Sequence, residues 1–173
     1  MLYNLSQFLR GVVGETRQFP ITGDIEPIDG SGKSVPVVGD VELVRTNQGV
    51  LARVRAVLSS TEECSRCLKP IANQIEVAFE EIYYPTSDPI TGHPLPSPPE
   101  PDAYTIDHNH MLDLGEAIRE YAVMARPLQP LCREDCAGLC PTCGIDRNTT
   151  SCACTQSAAD PRWAMLWQVT PQE

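Results

Sequence analysis

From the amino end, apolar and polar positions first alternate with a period of two. Between Arg17 and Ile25 the residues Phe19, Ile21 and Ile25 fall on alternate positions, which predicts a half-buried strand. A second strand is expected from Val35 to Thr46, where Val41 and Leu43 alternate with Asp40 and Glu42. Thr46-Asn47-Gln48-Gly49 then supplies turn chemistry. Val50, Ala52, Val54, Ala56 and Leu58 face one way on the next strand, while Arg53 and Arg55 project from its other face. A further strand sets Ile75, Val77 and Phe79 against Glu76 and Glu80 and reaches about Tyr84. These runs, joined by short connections, predict an antiparallel meander.

The pattern then breaks. Residues 85–101 contain seven prolines and almost no apolar periodicity, so a disordered connector is expected there. One helix follows. Asp113 and Glu116 have the spacing of a capping box, and Leu114, Ala117, Ile118, Tyr121, Ala122 and Ala125 recur on one helical face until Pro127 stops it. A last short helix is expected from Asp160, with Pro161 in its first turn and Trp163, Leu166 and Trp167 as its buried edge. The fold expected is α+β. An antiparallel, barrel-like sheet packed by one main helix occupies residues 1–131, with 85–107 as a proline-rich loop. A cysteine-rich, zinc-ribbon-like tail and the short helix occupy 132–173.

At 173 residues the chain has room for one ordinary domain and a small appendage. The amino end has no charged leader followed by an apolar run, and no stretch approaches the roughly 18 apolar residues of a membrane span. A cytoplasmic protein with no membrane partner is expected. In a reducing cytoplasm, eight cysteines against three histidines point to metal ligands rather than a disulfide framework. The net charge of −10 is uneven: residues 1–58 carry six basic and six acidic groups, residues 59–173 seven against seventeen. Such a field repels phosphate backbones and suits a basic protein partner.

The cysteines fall into four close pairs, Cys64 with Cys67, Cys132 with Cys136, Cys140 with Cys143, and Cys152 with Cys154. Two residues between thiols let a tight turn aim both sulfurs at one tetrahedral zinc ion, and two pairs saturate it. Four pairs can be grouped in three ways. Loop closure favours Cys140, Cys143, Cys152 and Cys154 as one site, because the intervening chain is short. Cys64, Cys67, Cys132 and Cys136 then form the other, tying a hairpin tip to the chain beyond the helix. The main rival places Cys132, Cys136, Cys140 and Cys143 on one ion. Two Zn²⁺ are expected in all.

Other chemistries are weaker. Cys136, Cys140 and Cys143 have the C-x3-C-x2-C spacing of a radical-enzyme cluster, but no α/β barrel surrounds them. A redox C-x-x-C at Cys140 and Cys143 would want a βαβ setting. Zinc hydrolysis needs an open coordination position, and His108 and His110 are expected to be solvated residues leading into the helix. No catalytic residue and no small-molecule substrate are expected.

Cys64-Ser65-Arg66-Cys67-Leu68, Pro127-Leu128-Gln129-Pro130-Leu131-Cys132, Cys136-Ala137-Gly138-Leu139-Cys140-Pro141-Thr142-Cys143-Gly144 and Asp160-Pro161-Arg162-Trp163 occur in that order. Together they resemble the bacterial YceD family, large ribosomal RNA subunit accumulation proteins. The resemblance implies a cytoplasmic factor needed for accumulation of large-subunit ribosomal RNA, and it carries over no catalytic residue. With the charge, it suggests action through a basic ribosomal protein or a large-subunit precursor. The alternative is a direct RNA-binding zinc-knuckle protein using Arg53, Arg55, Arg66 and Lys69, and less so a C-x-x-C redox enzyme.

Overall fold

The computed structural model describes residues 1–28 and 32–154. The helix expected from Asp160 and its Trp163, Leu166 and Trp167 lie outside the described residues. The elements run β1 (Leu2–Asn4), a 3-10 turn (Phe8–Arg10), β2 (Thr16–Ile25), β3 (Val35–Arg45), β4 (Val50–Glu63), β5 (Pro70–Pro85), β6 (Thr105–Ile106), β7 (Met111–Asp113) and α1 (Gly115–Ala125). They make a mostly β structure with one helix, in which seven strands follow the order β1-β7-β6-β5-β4-β3-β2.

The described chain divides into two units. The first holds Met1–Glu62 and Ile71–Leu128, and the second takes Glu63–Pro70 together with the chain from Gln129. The expected division after residue 131 therefore misplaces the hairpin tip, which groups with the cysteine-rich segment rather than with the sheet.

In the first unit the period-two alternation is obeyed along the whole of β4. Val50, Ala52, Val54, Ala56 and Leu58 are buried, and so are Ser60 and Glu62 beyond them. The strand continues past Leu58 because the inward carboxylate of Glu62 is satisfied. Arg126 Nε donates to Glu62 Oε1 at 2.9 Å and Asn73 Nδ2 to Oε2 at 3.3 Å, while Arg126 Nη1 reaches the carbonyl of Ile28 at 3.0 Å. A buried charge with such partners is tolerated; one without them is not.

The sheet curls into a half-barrel. Strands β1 and β2 stand at opposite ends of the strand order, yet the Tyr3 and Phe19 rings lie 5.5 Å apart and Tyr3 Oη donates to the Pro20 carbonyl at 3.1 Å. Ala117, Ile118 and Ala122 of α1 join the core with Val41, Leu43, Val54 and Leu58, and Tyr121 stacks on Phe79 at 4.2 Å. Ala125, expected on the buried face, is exposed at the last turn.

Three expectations need correction. The meander is not wholly antiparallel, because β6 pairs parallel to β5 through Tyr84↔Thr105 and Pro85↔Ile106. Asp113 does not close a capping box: the N-cap position is Leu114 without a side-chain cap bond, and Asp113 Oδ1 accepts from the Gly115 N–H at 2.8 Å instead. The proline-rich segment is partly built. Asp88 Oδ1 accepts from the N–H groups of Ile90 and Thr91 at 2.8 and 2.7 Å, Ser87 bridges Pro94, and Arg10 Nε donates to the Pro89 carbonyl at 2.8 Å. Short-range acceptors do there what strand pairing cannot do with prolines.

Candidate metal centres

The turn between β4 and β5 is built for close approach of two sulfurs. Cys64 N–H donates to the Lys69 carbonyl at 2.9 Å, and the Leu68 N–H to the Cys64 carbonyl at 2.9 Å. Leu68 is forced to φ 58° to close this loop. The same construction recurs around Cys140. Its N–H donates to the Ile145 carbonyl at 2.8 Å, the Gly144 N–H returns to the Cys140 carbonyl at 2.9 Å, and Gly144 has φ 72°. Glycine meets that left-handed backbone at no steric cost, whereas the leucine stores strain.

These knuckles bring the eight thiols into two quartets. Within Cys64, Cys67, Cys132 and Cys136 the sulfurs all lie within 4.8 Å of one another, and so do those of Cys140, Cys143, Cys152 and Cys154. Each group of four is the one that short loop closure favoured, and the C-x3-C-x2-C run is divided between them. Cys64 Sγ lies 3.8 Å from Cys136 Sγ, and Cys67 Sγ 3.7 Å from Cys132 Sγ. Four sulfurs bound at 2.3 Å to a central zinc would be about 3.8 Å apart along each tetrahedron edge. A disulfide would require about 2.05 Å. All eight cysteines are free thiols.

Backbone donors decide which sulfurs ionise first. The N–H of Cys132, then that of Cys67, brings Cys64 down to about 6. Those of Cys143 and Thr142 likewise bring Cys140 down to about 6. Their neighbours resist. Cys132 is pushed up to about 12, first by the Cys136 sulfur and then by burial, and Cys154 up to about 12, first by Cys143 and then by burial. Four thiolates this close repel one another unless a cation stands between them. Both quartets thus fit a dication that accepts four soft ligands, and they are compatible with zinc.

Around the first quartet a polar framework fixes the sulfurs. Asn148 is its centre: Nδ2 donates to Cys136 Sγ at 3.4 Å and to Asp146 Oδ1 at 2.7 Å, and Oδ1 accepts from the Ala137 N–H and from Arg133 Nη2, both at 2.8 Å. Asp146 Oδ2 pairs with Lys69 Nζ at 2.6 Å, and Lys69 and Asn148 hold the Asp146 carboxyl down at about 2. Gly138 has φ 70°, and a Cβ there would sit 3.0 Å from the Arg66 carbonyl, which accepts from the Leu139 N–H. Cysteine spacing gave no hint of Asn148 or Asp146; the only signal was short polar residues in a loop between two cysteine pairs.

The four basic residues named as RNA contacts are differently placed. Arg53 is held by Glu42 at 3.1 Å and Glu80 at 3.3 Å. Arg66 Nη1 donates to the carbonyls of Cys136 at 2.9 Å and Glu134 at 3.3 Å, and Lys69 is paired with Asp146. Arg55 has no hydrogen-bond or ion-pair partner among the described residues, and it lies in shallow depressions on the outer sheet face. His108 and His110 sit in the turn between β6 and β7 rather than leading into the helix, with His110 at φ 61°.

The family model described as large ribosomal RNA subunit accumulation protein YceD matches residues 52–169. The chain belongs to the YceD family. The matched segment begins inside β4 and takes in every one of the eight cysteines of this YceD chain. Among curated proteins it is 31% identical over 137 residues to an uncharacterized protein of Mycobacterium tuberculosis, and equally so to one of Mycobacterium bovis, covering 78% of this chain and 62% of each relative. An uncharacterized protein of Mycobacterium leprae is 24% identical over 131 residues, covering 76% of this chain and 58% of the relative. The YceD chain thus spans about three-fifths of the length of the curated relatives it matches. No solved structure matches it. Among the described residues, no helix is long and apolar enough to cross a membrane.

Proposed function

We propose that this chain is a zinc-binding factor without enzymatic activity that serves large ribosomal subunit biogenesis and ribosomal RNA accumulation in the cytoplasm. It binds two Zn²⁺, one held by Cys64, Cys67, Cys132 and Cys136, the other by Cys140, Cys143, Cys152 and Cys154. The observation that carries this reading is the pair of four-sulfur clusters, each within 4.8 Å and the first with two sulfur pairs at tetrahedral-edge distance, in a YceD-family chain. Four thiolates saturate the ion and leave no position for an activated water, so the metal serves architecture.

The partner is a basic ribosomal protein or a large-subunit precursor rather than naked RNA. This follows from the net charge of −10 and from the internal engagement of Arg53, Arg66 and Lys69. Direct RNA binding through Arg53, Arg55, Arg66 and Lys69 is the second reading, favoured by Arg55, which is unpaired among the described residues. Metal content of natively purified protein tests the first part: two zinc ions per chain are expected, falling to about one in each of Cys64→Ser and Cys140→Ser. Loss of the same single ion in both variants would refute the assignment. For the partner, co-purification with ribosomal particles is expected to end once ribosomal proteins are stripped. Retention on bare ribosomal RNA that is abolished by charge reversal at the four basic positions would favour the second reading.

A further inference from the structure

The loop that closes the second quartet also serves the first. Residues 144–151 run between Cys143 and Cys152, two ligands of the second quartet. From this loop Asn148 donates to Cys136 Sγ of the first quartet and accepts from the Ala137 N–H. From the same loop Asp146 pairs with Lys69, two residues beyond Cys67. The loop is further pinned by the Arg147 N–H, which donates to the Gly138 carbonyl at 2.9 Å, between Cys136 and Cys140. We propose that the two centres load cooperatively, with Asn148 as the positioning residue that transmits occupancy of the second quartet to the first.

The physical chain is short. With Cys143 and Cys152 drawn to one ion, both ends of an eight-residue loop are fixed, and the entropy of placing Asn148 against Cys136 is already spent. The amide then donates to the Cys136 thiolate and holds the Ala137 N–H, which orients the sulfur toward its three partners. Outer groups of this kind typically change metal affinity by about 10–100-fold. Coupling is reciprocal, so filling the first quartet tightens the second by the same factor. The inference rests on the quartets holding zinc, and its test separates the two ideas.

Three versions of the full chain are titrated with zinc against a chelator of known affinity: wild type, Cys152→Ser/Cys154→Ser to leave the first quartet, and Cys64→Ser/Cys67→Ser to leave the second. The overall constant for loading both ions in wild type is expected to exceed the product of the two single-centre constants by about tenfold or more. Adding Asn148→Ala is expected to bring that ratio close to one, while Thr149→Ala in the same loop leaves it unchanged. A second readout leaves Asn148 in place. Hydrogen exchange at the Ala137 amide, which Asn148 accepts, is expected to slow on the addition of zinc more than in Cys152→Ser/Cys154→Ser. A wild-type ratio near one, or a ratio untouched by Asn148→Ala, overturns the coupling while leaving two zinc centres in place. Failure of wild type to take up any zinc overturns both readings.

Discussion

Stripping metal from the protein is the perturbation that most sharply separates its two units. Among the described residues of the first unit, twenty-five buried apolar residues, from Leu5 to Ala122, form one core cluster. In the second, the buried apolar side chains among the described residues are Cys64, Cys67, Cys136 and Cys140, with no buried aliphatic or aromatic residue. The sulfurs are the core there. A structural zinc site contributes about 10–16 kcal/mol, comparable with the entire net stability of an ordinary domain at about 5–15 kcal/mol. Chelation should therefore unfold residues 63–70 and 129–154 while the sheet persists. Hydrogen exchange with mass spectrometry reads this by segment. The amides of Cys64, Leu68, Leu139, Cys140, Gly144 and Arg147, all internally bonded, are expected to lose protection in a strong chelator. The amides within β3 and the first part of β4 are expected to keep theirs, and re-addition of zinc should restore the others. Unchanged protection at Cys140 and Gly144 in verified metal-free protein would refute the reasoning. So would simultaneous loss of protection throughout the sheet.

Three further outcomes are expected. Arg126→Met leaves the Glu62 carboxylate, whose side chain is 3% exposed, with only Asn73, and should cost about 3 kcal/mol, the low end for a broken buried pair because Arg126 is itself partly exposed. Chemical denaturation checks this, and Glu62→Met/Arg126→Met should recover part of the loss. Leu68→Gly relieves a left-handed leucine and should leave stability unchanged or raise it by up to about 1 kcal/mol in the zinc-loaded protein, whereas a loss above that would show that the exposed side chain has contacts of its own. The Asp88 carboxyl lies below its usual range because the N–H of Thr91, then that of Ile90, donates to it. A depressed folded value stabilises above the ordinary value of about 3.9 and is lost as pH falls through the folded one. Amide signals of Ile90 and Thr91 should thus stay unshifted down to about pH 4 and move only below it, and Asp88→Asn should remove that transition.

The strand segments that could be read from sequence were those whose inward positions are all apolar, such as Ile75, Val77 and Phe79. Val50 to Leu58 announced itself, but Ser60 and Glu62 did not, because a buried carboxylate makes sense only once Arg126, sixty-four residues later, is beside it. Strands β1, β6 and β7 have two or three residues each, too few for any periodicity, and they exist because longer neighbours offer them hydrogen bonds. Asp113 and Glu116 have the right spacing for a capping box, yet Asp113 binds the Gly115 N–H instead. The grouping of the eight cysteines into two quartets was legible because pair spacing and loop length are local properties. Asn148 was not, since its role depends on which sulfur the fold brings to within 3.4 Å.

The two centres differ in when they can be completed. During synthesis at about 5–20 residues per second, Cys140 to Cys154 appear within a few seconds of one another. Cys67 precedes its neighbour Cys132 by 65 residues, so for several seconds longer the nascent chain carries the first knuckle with only half of its sulfurs. A mistimed oxidant or a competing soft metal would find its easiest target in that interval.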